Sequence, residues 1–182
     1  MLKIGSKGLP VAQGLYEPAL ERDNCGIGFV ANIRGKKSHD IIKKGIQVLI
    51  NLTHRGACGC DPDTGDGAGI LIQIPHEYYA KQCTRLGFTL PPAGEYGVGM
   101  VFLPTRKDSR LSCEGQFERI AQEEGLEVLG WRETPVESEA IGWLARSSQP
   151  FIEQVFVRGP HEMSQDQLER KLYVVMSRAE TE

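Results

Sequence analysis

The chain has 182 residues, 21 of them Lys or Arg and 24 Asp or Glu, for a formal charge of −3. Its 40% hydrophobic and 25% charged content is that of a globular protein long enough to bury a core. The near-neutral balance argues against nucleic-acid or membrane partners, which select clustered positive charge. No apolar run approaches the roughly 20 residues of a membrane span.

Residues 1–24 show no steady hydrophobic period and read as an extended, removable leader. A secretory signal needs a basic start followed by about 7–15 apolar residues. Here Gly8, Pro10, Gly14 and Pro18, with Glu17, Glu21, Arg22 and Asp23, interrupt any such run. The five cysteines (Cys25, Cys58, Cys60, Cys83 and Cys113) are odd in number and irregularly spaced. That pattern fits a reduced, cytoplasmic protein better than a disulfide scaffold.

From residue 26 to 33 the alternation of Ile27, Phe29 and Ile33 predicts a strand. A polar turn follows at Arg34-Gly35-Lys36-Lys37. Ser38 is placed to cap a helix over 39–53, whose apolar stripe is Ile42, Ile46, Leu49 and Ile50. Residues 54–68 read as a loop, and 69–74 as a short buried strand. Pro75 opens a helix over 76–86. Strands are expected at 96–103, 126–131 and 151–157, and helices at 109–124 and 137–145. Ser164 and Gln167 match a capping box. The last helix places Leu168, Leu172, Val175 and Met176 at helical spacing. Mixed helices and hydrophobic strands predict an α+β layered domain.

Four features bear chemistry. The first is Cys25, followed by Gly26-Ile27-Gly28. A free thiol has a pKa of about 8.5 and needs a base to become a nucleophile. If the Asn24–Cys25 bond is cut, the new α-amino group, with a pKa of about 7.7–8.0, is that base. Base and nucleophile then share one residue, with little entropy lost in aligning them. The alternative is a buried, inert cysteine at the start of a strand. The second feature is His54-Arg55-Gly56 at the end of the first helix. Strand, turn and helix return the chain towards Cys25, where a guanidinium favours thiolate and steers an anionic substrate. The alternative is a cation at a helix C-terminus.

The third feature is the acidic, glycine-rich run 61–69. It lacks the phosphate-loop and EF-hand patterns and reads as a tight turn into a strand. The fourth is Cys58-Gly59-Cys60 with His54. A C-x-C pair without a second pair argues against a structural zinc site, so no metal is expected.

Two blocks, ERDNCGIGFVANIRGKKSHD and NLTHRGACGCDPDTGDGAGILIQIP, together resemble the glutaminase domain of the glutamate synthase family. That domain is a class II glutamine amidotransferase of the N-terminal-nucleophile hydrolases. Shorter-loop relatives hold the HRG-like and D-x-A-G pieces almost adjacent, whereas here Ala57 to Gly65 separates them. The resemblance continues through FIEQVFVRG and LERKLYVV, and so covers essentially the whole chain.

The resemblance implies a four-layer αββα sandwich, with residues 1–24 as propeptide and 25–182 as the N-terminal portion of the domain. It implies Cys25 as nucleophile, exposed by cleavage between Asn24 and Cys25. It implies Arg55 and Gly56 beside it, Arg55 orienting charge, and Asp66 and Gly67 in an active-site loop. Glutamine is the implied substrate, hydrolysed to glutamate and ammonia, which then aminates 2-oxoglutarate in a synthase region or subunit. FMN and an iron–sulfur cluster are implied for the full-length family protein and none for this segment. The family's oxyanion Asn-Gly is expected beyond this segment, since no Asn follows Asn51. Two other readings stand beside this one. One is a non-catalytic assembly or regulatory fragment that keeps the fold. The other is a thiol hydrolase pairing Cys25 with His39, His54 or His76 as base.

Overall fold

A computed structural model describes residues 12, 14, 26–53, 56, 61–65 and 67–182. The chain divides into two compact units, Met1–Leu71 and Ile72–Glu182.

In the first unit, helix α1 (His39–Asn51) forms where the apolar stripe predicts it. Ser38 precedes it in extended conformation, and Asp40 sits in the first turn, where a negative charge complements the helix dipole. Residues 26–32 belong to no hydrogen-bonded strand, which corrects the strand expected there. The alternation survives, but with an unexpected partner. Gly26 and Gly28 lie against Leu52 and Val48 at the C-terminal end of α1. Ile27 and Phe29, on the opposite side, are more than nine-tenths exposed. Residues 69–74, also expected as a strand, lie likewise outside any ladder, and Leu71 is fully exposed. Apolar alternation marks a segment fit for a sheet. Pairing also needs a neighbouring edge, and among the described residues neither segment has one.

The second unit is a three-stranded antiparallel sheet flanked by helices. Its elements are α2 (His76–Arg85), β1 (Tyr96–Leu103), α3 (Lys107–Glu123), β2 (Glu127–Glu133), α4 (Trp143–Ser147), β3 (Phe151–Arg158) and α5 (Gln165–Thr181). The strand order is β1-β3-β2, so the last strand in sequence is central. Tyr96 pairs with Arg158 at one end of β1, and Leu103 with Phe151 at the other. The β2 pairing shifts register between Val128 and Gly130.

Because successive strand residues face opposite sides, β3 divides two cores. Val155 and Val157 join Ile120, Ala121 and Leu126 with Leu168 and Val175 of α5. Phe156 faces the other way, among Cys83, Leu90 and Tyr96. Helices α3 and α5 therefore cover one face and α2 part of the other. On that second face Met100 and Phe102 remain 51% and 67% exposed.

The helix expected over 137–145 is two pieces, a 3-10 turn at Ser138–Ala140 and α4. Ile141 and Gly142 between them are extended, which ends one helical run before the next begins. The capping box at α5 forms in full. Ser164 Oγ accepts from the Gln167 amide at 3.3 Å, and Gln167 Oε1 accepts from the Ser164 amide at 3.0 Å. The fold is α+β, with helices against an antiparallel sheet.

Candidate functional site

Four of the expected site residues, Asn24, Cys25, Arg55 and Asp66, lie outside the described residues, as does His54. Gly56 and Gly67 are described, and both are exposed. The site is therefore built from what flanks it.

A Cβ on Gly26 would stand 3.0 Å from Leu52 Cδ2, and one on Gly28 would stand 2.5 Å from Val48 Cγ1. Two residues of extended chain span about 6.6 Å, and four residues of helix about 6 Å. The contacts of residues 26 and 28 with 52 and 48 thus fit an extended segment running antiparallel to α1. A side chain at 28 would hold the backbone off the helix, so this approach requires glycine there, while at 26 the end of the Leu52 side chain would have to shift.

The chain then turns sharply at the end of α1. Leu52 donates to the carbonyls of Val48 and Leu49 at 3.1 Å. The Thr53 hydroxyl donates to the Ile50 carbonyl, and the Gly56 amide donates to Thr53 at 3.1 Å. Gly26 and Gly56 consequently belong to the same end of α1.

This arrangement bears on the histidines. His39 opens α1, while Gly26 packs on Leu52 just past its other end. Thirteen residues of helical rise separate them by about 20 Å. A base must come within about 3 Å of the proton it takes, or reach it through one water. The geometry therefore opposes His39 as the base for a nucleophile adjoining Gly26. In the second unit, His76 Nδ1 lies 3.0 Å from the Tyr96 hydroxyl.

In the acidic loop, Asp61 is buried and closes the turn on itself. Its Oδ1 accepts from the Asp63 amide at 3.0 Å and its Oδ2 from the Thr64 hydroxyl at 2.8 Å. Asp61 thus has a structural task, the one that turn chemistry predicts.

The second unit holds two polar groups that the sequence reading missed. Gln154, buried in the sheet, donates to the Tyr79 hydroxyl at 2.7 Å and accepts from Arg132 at 2.7 Å. Arg132 also donates to the Tyr78 hydroxyl at 3.0 Å. Cys83 is fully buried beneath this network. Burial pushes its thiol pKa up, against the pull of Arg132, so it is a core cysteine and not a nucleophile. The other group surrounds Glu153, on the face of β3 that also presents Val155 and Val157. A Glu interrupting an apolar period-2 pattern is the signal that would have found it.

Among the described residues no three His, Cys, Asp or Glu side chains gather as a metal site. Cys83 and Cys113 sit on helices that pack on opposite faces of the sheet. The described residues therefore do not fit a cluster held by four thiolates. No described helix is long and apolar enough to cross a membrane.

Residues 25–182 match the family model of class-II glutamine amidotransferases. The chain is 47% identical over 173 residues to the glutamate synthase (NADPH) large chain of Bacillus subtilis, covering 94% of this chain and 11% of that protein. It is 42% identical over 157 residues to ferredoxin-dependent glutamate synthase 2 of Synechocystis, covering 86% and 10%. With glutamate synthase (NADH) of Saccharomyces cerevisiae it shares 43% over 151 residues, covering 80% and 7%. The chain spans about a tenth of the length of the curated relatives it matches. With the matched span running from Cys25 to the last residue, the chain belongs to the class-II glutamine amidotransferases, a family of enzymes.

Proposed function

We propose that this chain is the glutaminase portion of a glutamate synthase, working through Cys25 as an N-terminal nucleophile. The observation that carries the reading is the start of the family match, which falls on residue 25. Residues 1–24 are the propeptide in this reading, and cleavage after Asn24 frees the α-amino group of Cys25. That amine takes the thiol proton. The thiolate attacks the side-chain amide carbon of glutamine, ammonia leaves with that proton, and a γ-glutamyl thioester remains. Water then cleaves the thioester, releasing glutamate and restoring the thiol.

Arg55 serves as the orienting cation, with Gly56 beside it and Asp66 and Gly67 in the active-site loop. The packing of Gly26 on Leu52 and the tight turn to Gly56 support this. Cys25 and Arg55 are each bonded to a residue at the same end of α1. The ammonia passes to the synthase region and aminates 2-oxoglutarate. FMN and the iron–sulfur cluster belong to that region in this reading, and the protein works in the cytoplasm. The four-layer sandwich belongs to the same proposal. A second sheet would cover Met100 and Phe102, which the described residues leave exposed.

The test is the activity of Cys25→Ser in the complete synthase. Glutamine-dependent synthesis should fall at least a thousandfold while ammonia-dependent synthesis persists. Equal loss of both, or retention of both, contradicts the reading. Retention of both would favour a non-catalytic role for this segment.

A further inference from the structure

Glu153, on β3, is a residue to which the proposed glutamine hydrolysis assigns no role. Period 2 directs it, with Val155 and Val157, to the face that α3 and α5 cover. Its cross-strand partners are Glu133 on β2 and Val101 on β1. Like charges directly opposite on neighbouring strands repel. From α3, Arg110 and Glu114 act on it. Arg110 Nε lies 3.6 Å from Glu114 Oε1, with both side chains less than a fifth exposed. The same guanidinium sits over the Phe151 ring, 3.7 Å from its centroid. Glu153 and Glu114 thus share one cation, which the Glu114 carboxylate and the Phe151 ring already engage.

Glu153 Oε2 is buried and has no hydrogen-bond partner. An ionised carboxylate in that position is costly, because it accepts hydrogen bonds and finds no donor. A single proton between Glu153 and Glu114 supplies the donor and removes one of the repelling charges.

We propose that Glu153 is a proton-operated latch that holds the N-terminal half of α3 on the sheet when protonated and loosens that contact when ionised. Its titration range supports the idea. Burial first, and then the Glu114 carboxylate, push the Glu153 carboxyl up to about 7, against the pull of Arg110. The folded state therefore binds this proton more tightly than the unfolded chain does. The stabilisation is full below about pH 4.5 and is lost as pH rises through about 7.

The experiment is a carboxyl carbon NMR titration of the 182-residue chain, with amide hydrogen exchange across residues 107–114. The Glu153 resonance is identified by its loss in Glu153→Gln. Its midpoint is expected near 7, and a midpoint between 4 and 5 would overturn the proposal. Protection of the 107–114 amides, corrected for intrinsic exchange, should fall roughly 10- to 100-fold between pH 5 and 8. The same protection should stay level in Glu153→Gln. Protection that is flat in the unsubstituted chain also overturns the latch. Glu114→Gln keeps Glu153 in place and covers the case in which Glu153→Gln misfolds. It should lower the Glu153 midpoint, and an unchanged midpoint contradicts the shared proton.

Discussion

Gly28 and Val48 are packed so closely that a methyl group on the glycine would stand 2.5 Å from Val48 Cγ1. Val48 is β-branched and stiff at χ1, so it cannot swing away cheaply. Gly28→Ala is expected to destabilise the first unit by about 1–3 kcal/mol, the usual cost of overpacking. Trimming the neighbour with Val48→Ala should recover part of that loss. Urea denaturation of both single variants and the double variant gives the coupling. Strictly additive losses would mean that the two residues do not touch.

Gln154 ties the sheet to α2 by its bonds to Tyr79 and Arg132. Gln154→Leu takes one hydrogen bond from each of two half-buried partners and should cost about 1–3 kcal/mol in denaturation. Tyr79→Phe removes one donor–acceptor pair and should cost less. Introduced into the Gln154→Leu chain, it should add almost nothing, because its partner has already gone.

Much of the second unit was legible because its signals are local. The strand at 96–103 is bounded by turns and apolar within. The Ser164–Gln167 capping box states a helix start in four residues. The first unit was harder to read. Ile27, Phe29 and Ile33 alternate as a strand does, but alternation reports which side is apolar and not what covers it. Gly26 and Gly28 serve the close approach of this backbone to Leu52 and Val48 of the α1 end. Glu153 and Gln154 were passed over because their meaning lies in cross-strand and helix partners distant in sequence. Cys25 and Arg55 stand out by residue type and context alone, and both lie outside the described residues.

Glu124 links α3 to α5 through Lys171 at 2.8 Å and Arg178 at 3.0 Å. The Lys171 hydrogen bond first, and then that from Arg178, hold its carboxyl below the usual carboxylate range. A depressed carboxyl stabilises above its unfolded pKa, and that stabilisation is lost as pH falls through the folded value. Lys171→Met should raise the Glu124 midpoint towards about 4.5 in an NMR titration. Added salt should weaken the pairing, since these groups lie at the surface. A midpoint unmoved by the substitution would assign the shift to Arg178 alone.

The most direct test of the central claim is the N-terminal residue of the enzyme that is active with glutamine. Intact mass and N-terminal sequencing of that species read it without substitution or label. The account predicts a mature chain that begins at Cys25, with residues 1–24 gone. Full glutamine-dependent activity in a chain that retains Asn24 before Cys25 would contradict it, because Cys25 would then have no α-amino group to act as its base.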